Sequence, residues 1–128
     1  MMQAANIVRN FWNTMATNDF TAASHFLSED FTGDWPQSGE RIVGRANFAA
    51  INATYPAKGP WQFDVQRLVA NDDEVVTDVA ITDGDLMARA ITFHMIRNDL
   101  IARQIEYWPD PYDAPTWRAQ WISRIPQS

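Results

Sequence analysis

The first half of the chain has the hydrophobic spacing of amphipathic helices. Apolar residues recur at intervals of three and four between residues 3 and 17, which predicts a first helix there. Asn18 and Asp19 interrupt this spacing, and Asp19 is placed to cap a second helix over about 20–28. The helical spacing returns after Gly44, which predicts a third helix over about 45–54. Two short strands are predicted between the second and third helices, over residues 31–35 and 41–43.

From Trp61 onward, apolar and polar residues alternate. This spacing is typical of strands with one buried face. Short turns rich in Asn, Asp and Gly separate the alternating segments, which indicates antiparallel hairpins. Helices followed by a meander of strands predict an α+β fold. The four strands predicted in this way cover residues 61–70, 74–82, 86–97 and 100–108.

The last part of the chain has a different pattern. Three prolines between residues 109 and 115 cannot donate backbone hydrogen bonds to a ladder, so we expect the sheet to end before them. The helical spacing of Trp117 and Trp121 predicts a short C-terminal helix. We interpret the chain as one domain over residues 1–128, with residues 109–128 as its C-terminal extension.

Composition and charge narrow the possible functions. A length of 128 residues with 46% hydrophobic residues is enough for one core. The chain has 10 Lys and Arg against 16 Asp and Glu, a net charge of −6. This argues against nucleic acids and anionic membranes as partners, because both attract clustered cations. No window approaches the ~18 apolar residues of a membrane-spanning helix. We therefore expect a cytoplasmic protein that binds neither nucleic acid nor membrane.

The residues that usually hold metals or activate nucleophiles are sparse. Cysteine is absent, which excludes disulfides, thiolate nucleophiles and metal sites built on cysteine. Asp72-Asp73 and Asp83-Gly84-Asp85 resemble fragments of a cation-binding loop, but the longer ligand pattern is missing and hairpin turns explain both. The sequence has no Gly-rich phosphate-binding loop and no serine nucleophile motif. We therefore expect no metal ion and no other cofactor.

Polar and titratable side chains share one face of the last predicted hairpin. Side chains two apart on a strand point the same way, so Gln104, Glu106 and Trp108 lie together. His94 shares a face of the preceding strand with Thr92, and pairing through the intervening turn brings His94 opposite Gln104 or a residue shortly before it. A carboxyl group and an imidazole on a face that should bury apolar surface predict a pocket.

Glu106 and His94 each have a catalytic and a structural interpretation. A carboxyl group buried beside an indole has a raised pKa, which suits a general acid or base. Alternatively, Glu106 forms a structural ion pair with Arg103, Arg89 or Arg45. In a dry cavity His94 can carry a proton near neutral pH, or it is a hydrogen-bonded core histidine.

Asp34 is a third candidate proton carrier. It lies in Gly33-Asp34-Trp35-Pro36, where the structural alternative is an aspartate that caps its own backbone at a turn. His25, on the predicted second helix, is interpreted as a group on the helix surface or at the edge of the core.

The aromatic residues predict the walls of the pocket. Six tryptophans are a large number for this length. We predict that Phe11, Trp35, Trp61 and Trp108 line the pocket, with Thr92 and Gln104 as polar contacts. Such a lining selects a small, flat and apolar ligand.

The opposite face of the predicted sheet is also apolar. Helices cannot cover both faces of one small sheet, so we expect this outer face to be buried in a homodimer. The apolar residues predicted on it are Ile91, Phe93, Ile101, Ile105 and Tyr107.

The order of these elements resembles the nuclear transport factor two-like superfamily over roughly residues 3–110. The local matches are Asn18-Asp19-Phe20, residues 31–36, Gly44-Arg45 and Glu106-Tyr107-Trp108. The resemblance implies a cone-shaped α+β barrel, in which a strongly curved antiparallel sheet wraps three N-terminal helices and the open end is a pocket. The superfamily includes ketosteroid isomerases, SnoaL-type polyketide cyclases, scytalone dehydratase and limonene-epoxide hydrolase.

The resemblance to ketosteroid isomerases covers only part of their site. Asp34 lies near the position of their general-base carboxylate. Phe11 stands on or beside the position of their oxyanion-hole tyrosine, and Thr92 stands at about the position of their protonated aspartic acid. Both hydrogen-bond donors of that mechanism are therefore missing, and steroid isomerisation is not supported.

SnoaL-type cyclases are similar in another respect, since they use a strand histidine with an aspartate from the last strand region. His94 with Asp110 or Glu106 can imitate that arrangement. The sequence thus predicts a cofactor-independent acid–base enzyme (a cyclase, isomerase, dehydratase or hydratase) that acts on a small hydrophobic molecule. Its catalytic candidates are His94, Glu106, Asp34 and Asp110. The alternative is a non-catalytic ligand-binding or assembly module with the same fold.

Overall fold

The computed structural model describes residues 3–126, which form helices packed on one curved, open sheet. The helices are α1 (Ala4–Met15), α2 (Phe20–Ser24) and α3 (Arg45–Thr54), and a 3₁₀ helix follows at Thr116–Trp121. The strands are β1 (Leu27–Trp35), β2 (Glu40–Val43), β3 (Gln62–Asn71), β4 (Glu74–Thr82), β5 (Met87–Arg97) and β6 (Leu100–Tyr107). The sheet order is β2-β1-β6-β5-β4-β3, and only the β1–β6 pair is parallel among these strands. The predicted α+β class is confirmed.

The boundary between α2 and β1 differs from the prediction. Helix α2 ends at Ser24 instead of near residue 28, and β1 already begins at Leu27. The backbone N–H of Ile101 donates to the carbonyl of Phe26 at 2.8 Å, and Leu27 pairs with Ile101 in the parallel ladder. This long-range pairing draws the end of the predicted helix into the sheet. The expectation of an entirely antiparallel sheet is wrong for the same reason.

The core lies between α1 and the concave face of the sheet. One side of α1 is fully buried against inward-facing residues such as Val75, Val79 and Ala90. The pairing register shifts between Val65 and Arg67, and such bulges bend a sheet. The buried residues of α1 are Ile7, Val8, Phe11, Trp12 and Met15.

The turn at Asn98 and Asp99 fixes the register of the last hairpin. Both residues have positive φ values, 53° and 62°, as a type I′ turn requires. The turn pairs Arg97 with Leu100 and Ile96 with Ile101, and a register shift beyond these pairs places His94 opposite Gln104. The predicted tight turn and the predicted proximity of His94 to Gln104 are confirmed.

A second bulge changes which residues of β6 face outward. The register shifts between the pairs Met95–Arg103 and Ile96–Ile101, which reverses the alternation of side chains. Ile101 is fully buried, so its predicted outward position is wrong. We call the convex surface the outer sheet face, and its half-buried or exposed apolar residues are Ile91, Phe93, Met95, Ile105 and Tyr107.

The chain beyond β6 leaves the sheet. Residues 109–115 have no regular secondary structure, and the predicted C-terminal helix is a 3₁₀ helix with no buried residue. Within residues 3–126, no helix combines the length and the apolar character needed to cross a membrane.

Candidate functional site

A cavity of about 50 Å³ lies between α1, α3 and the concave face of the sheet. Its walls are mainly aromatic and aliphatic, and the polar residues on its strand side are Asp34, Gln104 and Glu106. The aromatic residues at the wall include the predicted Phe11, Trp35, Trp61 and Trp108, together with Trp12 and Tyr55.

Asn18 holds Trp61 at this wall. Its φ of 64° ends the helical path after α1 and turns its side chain toward the start of β3. The amide of Asn18 donates to the carbonyl of Trp61 at 2.7 Å, and its oxygen accepts from the backbone N–H of Trp61 at 2.8 Å. Next to it, Asp19 caps α2 by accepting from the N–H of Ala22 at 2.9 Å, as the sequence predicts.

The mouth of the cavity is a group of aromatic rings packed against one another in tilted and edge-to-face arrangements. The rings of Trp35 and Trp108 lie 5.5 Å apart, and Tyr55 lies 5.8 Å from Trp108 and 6.1 Å from Trp61. Tyr55 and Asn52 are wall residues that the sequence reasoning missed. Asn52 follows Phe48 by four residues and Tyr55 follows it by seven, and this helical spacing is the signal that could have found them.

Glu106 is a carboxyl group enclosed at the wall of the cavity. The hydroxyl of Thr92 donates to its Oε2 at 2.6 Å, and the indole N–H of Trp108 donates to its Oε1 at 2.7 Å. Burial raises the pKa of Glu106, although both hydrogen bonds act in the opposite direction.

The arginines considered as ion-pair partners of Glu106 bind other carboxylates. Arg45 lies beside Glu29 at 3.6 Å, Arg89 beside Asp78 at 3.0 Å, and Arg103 beside Asp34 at 3.2 Å. Across residues 3–126, Glu106 takes part in no ion pair. Its carboxyl group is therefore held by neutral donors.

His94 lies behind the wall and is fully buried. Gln104 donates an amide N–H to His94 Nδ1 at 3.1 Å, which leaves Nε2 to carry the proton and donate to the hydroxyl oxygen of Thr77 at 2.9 Å. The indole of Trp12 donates to the same oxygen at 3.2 Å. Burial lowers the pKa of His94 to about 3, so its imidazole is neutral at physiological pH.

His94 and Glu106 occupy adjacent steps of one strand ladder. Thr92 pairs with Glu106, and His94 pairs with Gln104 two residues along. Gln104 and Glu106 line the cavity, whereas His94 and Thr92 reach it only through these partners. The four side chains thus form a polar strip on the otherwise apolar concave face.

Asp34 borders the cavity but does not belong to this strip. In β1, Gly33 pairs with Gln104 and so takes the inward position, which turns the side chain of Asp34 to the outer sheet face. There Asp34 binds Arg41 at 2.6 Å and Arg103 at 3.2 Å. The hydrogen bond from Arg41, and then that from Arg103, holds the pKa of Asp34 below its usual value.

The remaining candidates lie away from the cavity. Asp110 follows β6 and is exposed, and His25 is exposed after α2. Asp83 accepts backbone N–H groups from Lys58, Asp85 and Leu86, which makes it a turn residue. In the part of the chain that the structure describes, no three His, Asp or Glu side chains cluster as metal ligands would.

Known proteins resemble this chain in sequence and in fold. A family model described as SnoaL-like domain matches residues 8–104. A candidate ketosteroid isomerase from Kribbella flavida is similar, with a TM-score of 0.89 and 30% identity over 98% of this chain and 91% of that one. An NTF-2 like protein of unknown function from Burkholderia xenovorans has a TM-score of 0.80 and 31% identity over 96% and 95%.

More distant structures share the fold alone. An LEH-like epoxide hydrolase from M. tuberculosis has a TM-score of 0.68 and 19% identity, over 83% of this chain and 82% of that chain. No curated protein matches the sequence.

Proposed function

This chain belongs to the SnoaL-like domain family, and we propose that within it the protein is a cofactor-independent acid–base enzyme for a compact, largely apolar molecule. The observation that carries the proposal is the environment of Glu106, a carboxyl group with a raised pKa on the wall of an aromatic cavity. Such a group can take up and return a proton near neutral pH. A carboxylate held by arginines cannot do so, because the ion pair keeps its pKa low.

Each residue of the polar strip has a proposed role. Glu106 transfers the proton, while Thr92 and Trp108 hold its carboxyl group in one orientation by their hydrogen bonds. Gln104 offers its remaining amide groups to the ligand. His94 is a positioning residue, because it is neutral, fully buried and acts on the cavity through Gln104.

The proposed reaction is a proton transfer at carbon beside a carbonyl group. Ionised Glu106 removes the proton, and the resulting carboxylic acid returns a proton to the same or a neighbouring atom, so the enzyme ends unchanged. Isomerisation, aldol-type cyclisation, dehydration and hydration all use such a step. A steroid does not suit this site, since Phe11 offers no hydrogen-bond donor and the cavity measures about 50 Å³.

A ligand-binding module without chemistry is the second candidate function. The observation that favours it is His94, whose two ring nitrogens are both hydrogen-bonded within the protein and whose pKa is far below neutrality. On that interpretation the aromatic rings bind the ligand, and Glu106 only accepts a hydrogen bond from it.

We also propose a homodimer through the outer sheet face and a cytoplasmic location. The outer sheet face exposes apolar side chains that no helix covers in the described residues. An acidic chain without cysteine suits a reducing compartment.

Deuterium exchange tests the catalytic proposal. The protein is incubated with cyclohexanone in D₂O, and loss of the α-proton signals is followed by NMR for the natural protein and for Glu106→Gln. We expect exchange that falls at least ~100-fold in Glu106→Gln, as for loss of a general base. Glu29→Gln is the matched control, because this glutamate side chain is 89% exposed and should leave the rate unchanged.

The two candidate functions give different results in this experiment. Binding of cyclohexanone without exchange above the buffer rate supports the binding module. Exchange that survives Glu106→Gln contradicts the role of Glu106, and neither binding nor exchange contradicts the proposed ligand class.

A further inference from the structure

The segment after β6 carries large apolar side chains that its own chain does not cover. We call residues 109–126 the C-terminal arm. Trp117 and Trp121 are each 71% exposed, and Ile125 is 89% exposed. The 3₁₀ helix of the arm buries none of its residues. Exposed tryptophans at this spacing favour an interface, because burying their apolar surface stabilises an assembly.

The arm recurs in related structures. The Kribbella and Burkholderia proteins match 98% and 96% of this chain, which leaves only about three and five of its 128 residues unmatched. The arm contains 18 residues (109 to 126), so both matches must extend into it. The epoxide hydrolase matches only 83%. A matched segment whose apolar side chains its own body leaves exposed is a candidate for cover by another molecule.

The distribution of charge along the chain indicates which molecule covers the arm. Residues 116–126 contain Arg118 and Arg124 and no acidic residue, a charge of +2. Since the whole chain carries −6, the remainder carries −8. A second copy of this acidic chain is therefore electrostatically complementary to residues 116–126, the part of the arm that carries both tryptophans, whereas Asp110 and Asp113 lie in the connecting residues before it. An anionic membrane is disfavoured, because it would repel the body.

The geometry allows the arm to reach a second copy. It starts at the end of β6, a strand that contributes Ile105 and Tyr107 to the outer sheet face. Residues 109–115 span up to ~23 Å at ~3.3 Å per residue. Sheets packed face to face lie only ~10 Å apart.

We infer that the C-terminal arm is exchanged between two copies and packs Trp117 and Trp121 against the outer sheet face of the other copy. The apolar surface that the arm exposes and the apolar surface that the sheet exposes then cover each other. This inference extends the proposed dimer, and it is independent of the proposed chemistry of Glu106.

Photocrosslinking in a mixture of isotopically light and heavy protein tests directly whether the arm is exchanged between copies. Trp121 is replaced by p-benzoylphenylalanine in the full chain, ¹⁴N- and ¹⁵N-labelled proteins are mixed, and the irradiated products are identified by mass spectrometry. We expect crosslinks from the arm to peptides of β5 and β6, with about half of them joining a light to a heavy chain. Crosslinks within single chains only, for instance to the cavity mouth, would overturn the exchange and make the arm a lid.

Sedimentation velocity tests whether the arm stabilises the dimer. We expect Trp117→Ser/Trp121→Ser to raise the dissociation constant at least tenfold, whereas Trp117→Phe/Trp121→Phe keeps apolar rings and preserves the dimer. A dimer of unchanged affinity in the serine variant contradicts the arm but leaves the sheet-face dimer standing. A monomeric natural protein contradicts both, and the deuterium-exchange test of Glu106 is unaffected by either result.

Discussion

Burial acts in opposite directions on Glu106 and His94, the two titratable side chains of the polar strip. It raises the pKa of the carboxyl group and lowers that of the imidazole, because both neutral forms need less solvation than the charged forms. The fold therefore disfavours a charge at either position. This is the condition in which one ionisation of Glu106 has a large chemical effect.

The lowered pKa of His94 predicts that the protein loses stability in acid. Its pKa is about 3 in the folded protein and 6.5 when unperturbed, so the unfolded state binds a proton that the folded state excludes. As the pH falls from about 6.5 to about 3, His94 should lower the free energy of unfolding by ~1.4 kcal/mol for each pH unit. Urea unfolding at pH 6, 5 and 4 measures this slope.

His94→Gln should be less stable near neutral pH, yet it should lose this part of the slope, so the difference in stability should shrink or reverse toward pH 4. His25→Gln is the matched control, because His25 is exposed and contacts water in the folded and unfolded states. An equal pH slope in the natural protein and His94→Gln would show that His94 can be protonated in the fold.

For Glu106 we predict the opposite dependence of protein stability on pH. Its pKa is raised from 4.5, so the folded state holds the proton more tightly and stability declines as pH rises from 4.5 through the folded pKa. Glu106→Gln cannot ionise and keeps an oxygen that accepts hydrogen bonds. Its stability relative to the natural protein should therefore increase between pH 5 and pH 8 in urea unfolding. A difference that is constant over this range contradicts a raised pKa.

Strand alternation is a local property of the sequence, and it was sufficient to place Glu106 on the concave face. It did not place Asp34, because a five-residue strand prediction left open which of its residues faces inward. The structure extends that strand to Leu27, and Gly33 takes the inward position opposite Gln104. That choice depends on pairing with a distant strand, which local spacing does not contain.

Among the elements, the β5–β6 hairpin determines the site. Its type I′ turn starts the antiparallel pairing, and the bulge between Met95 and Ile96 then gives the register that places His94 opposite Gln104. Alanine disfavours positive φ, so Asn98→Ala/Asp99→Ala should lower the free energy of unfolding by roughly 1–2 kcal/mol or more. Glycine at both positions should preserve stability, and urea unfolding of the two variants measures the difference. Equal stability of the alanine and glycine variants would contradict the role of this turn.

The predicted and observed bounds agree well for the three hairpin-linked strands from β4 to β6, because alternation and turn residues coincide there. They disagree where tertiary pairing competes with local preference. Phe26 and Leu27 continue a helical spacing, yet the parallel ladder with β6 places them in or beside a strand. Parallel pairing between the first and last strands carries no local sequence signal.

For the whole molecule, element order was sufficient to predict the fold, and the SnoaL-like domain match over residues 8–104 confirms the resemblance. The same fold supports different functions, so the activity must be argued from the site. A short helix was predicted within the C-terminal arm, where the structure has a 3₁₀ helix. The exposure of this helix could not be predicted, because spacing does not reveal whether a helix packs against its own body.

Burial by the fold raises the pKa of Glu106, and the proposed acid–base function depends on this shift. NMR of protein labelled with ¹³C at the glutamate side-chain carboxyl, assigned by comparison with Glu106→Gln, follows this one group between pH 3 and pH 9. We predict a titration midpoint above the ordinary value of 4.5. A midpoint at or below 4.5 would show a solvated or ion-paired carboxylate and would contradict the proposed acid–base function.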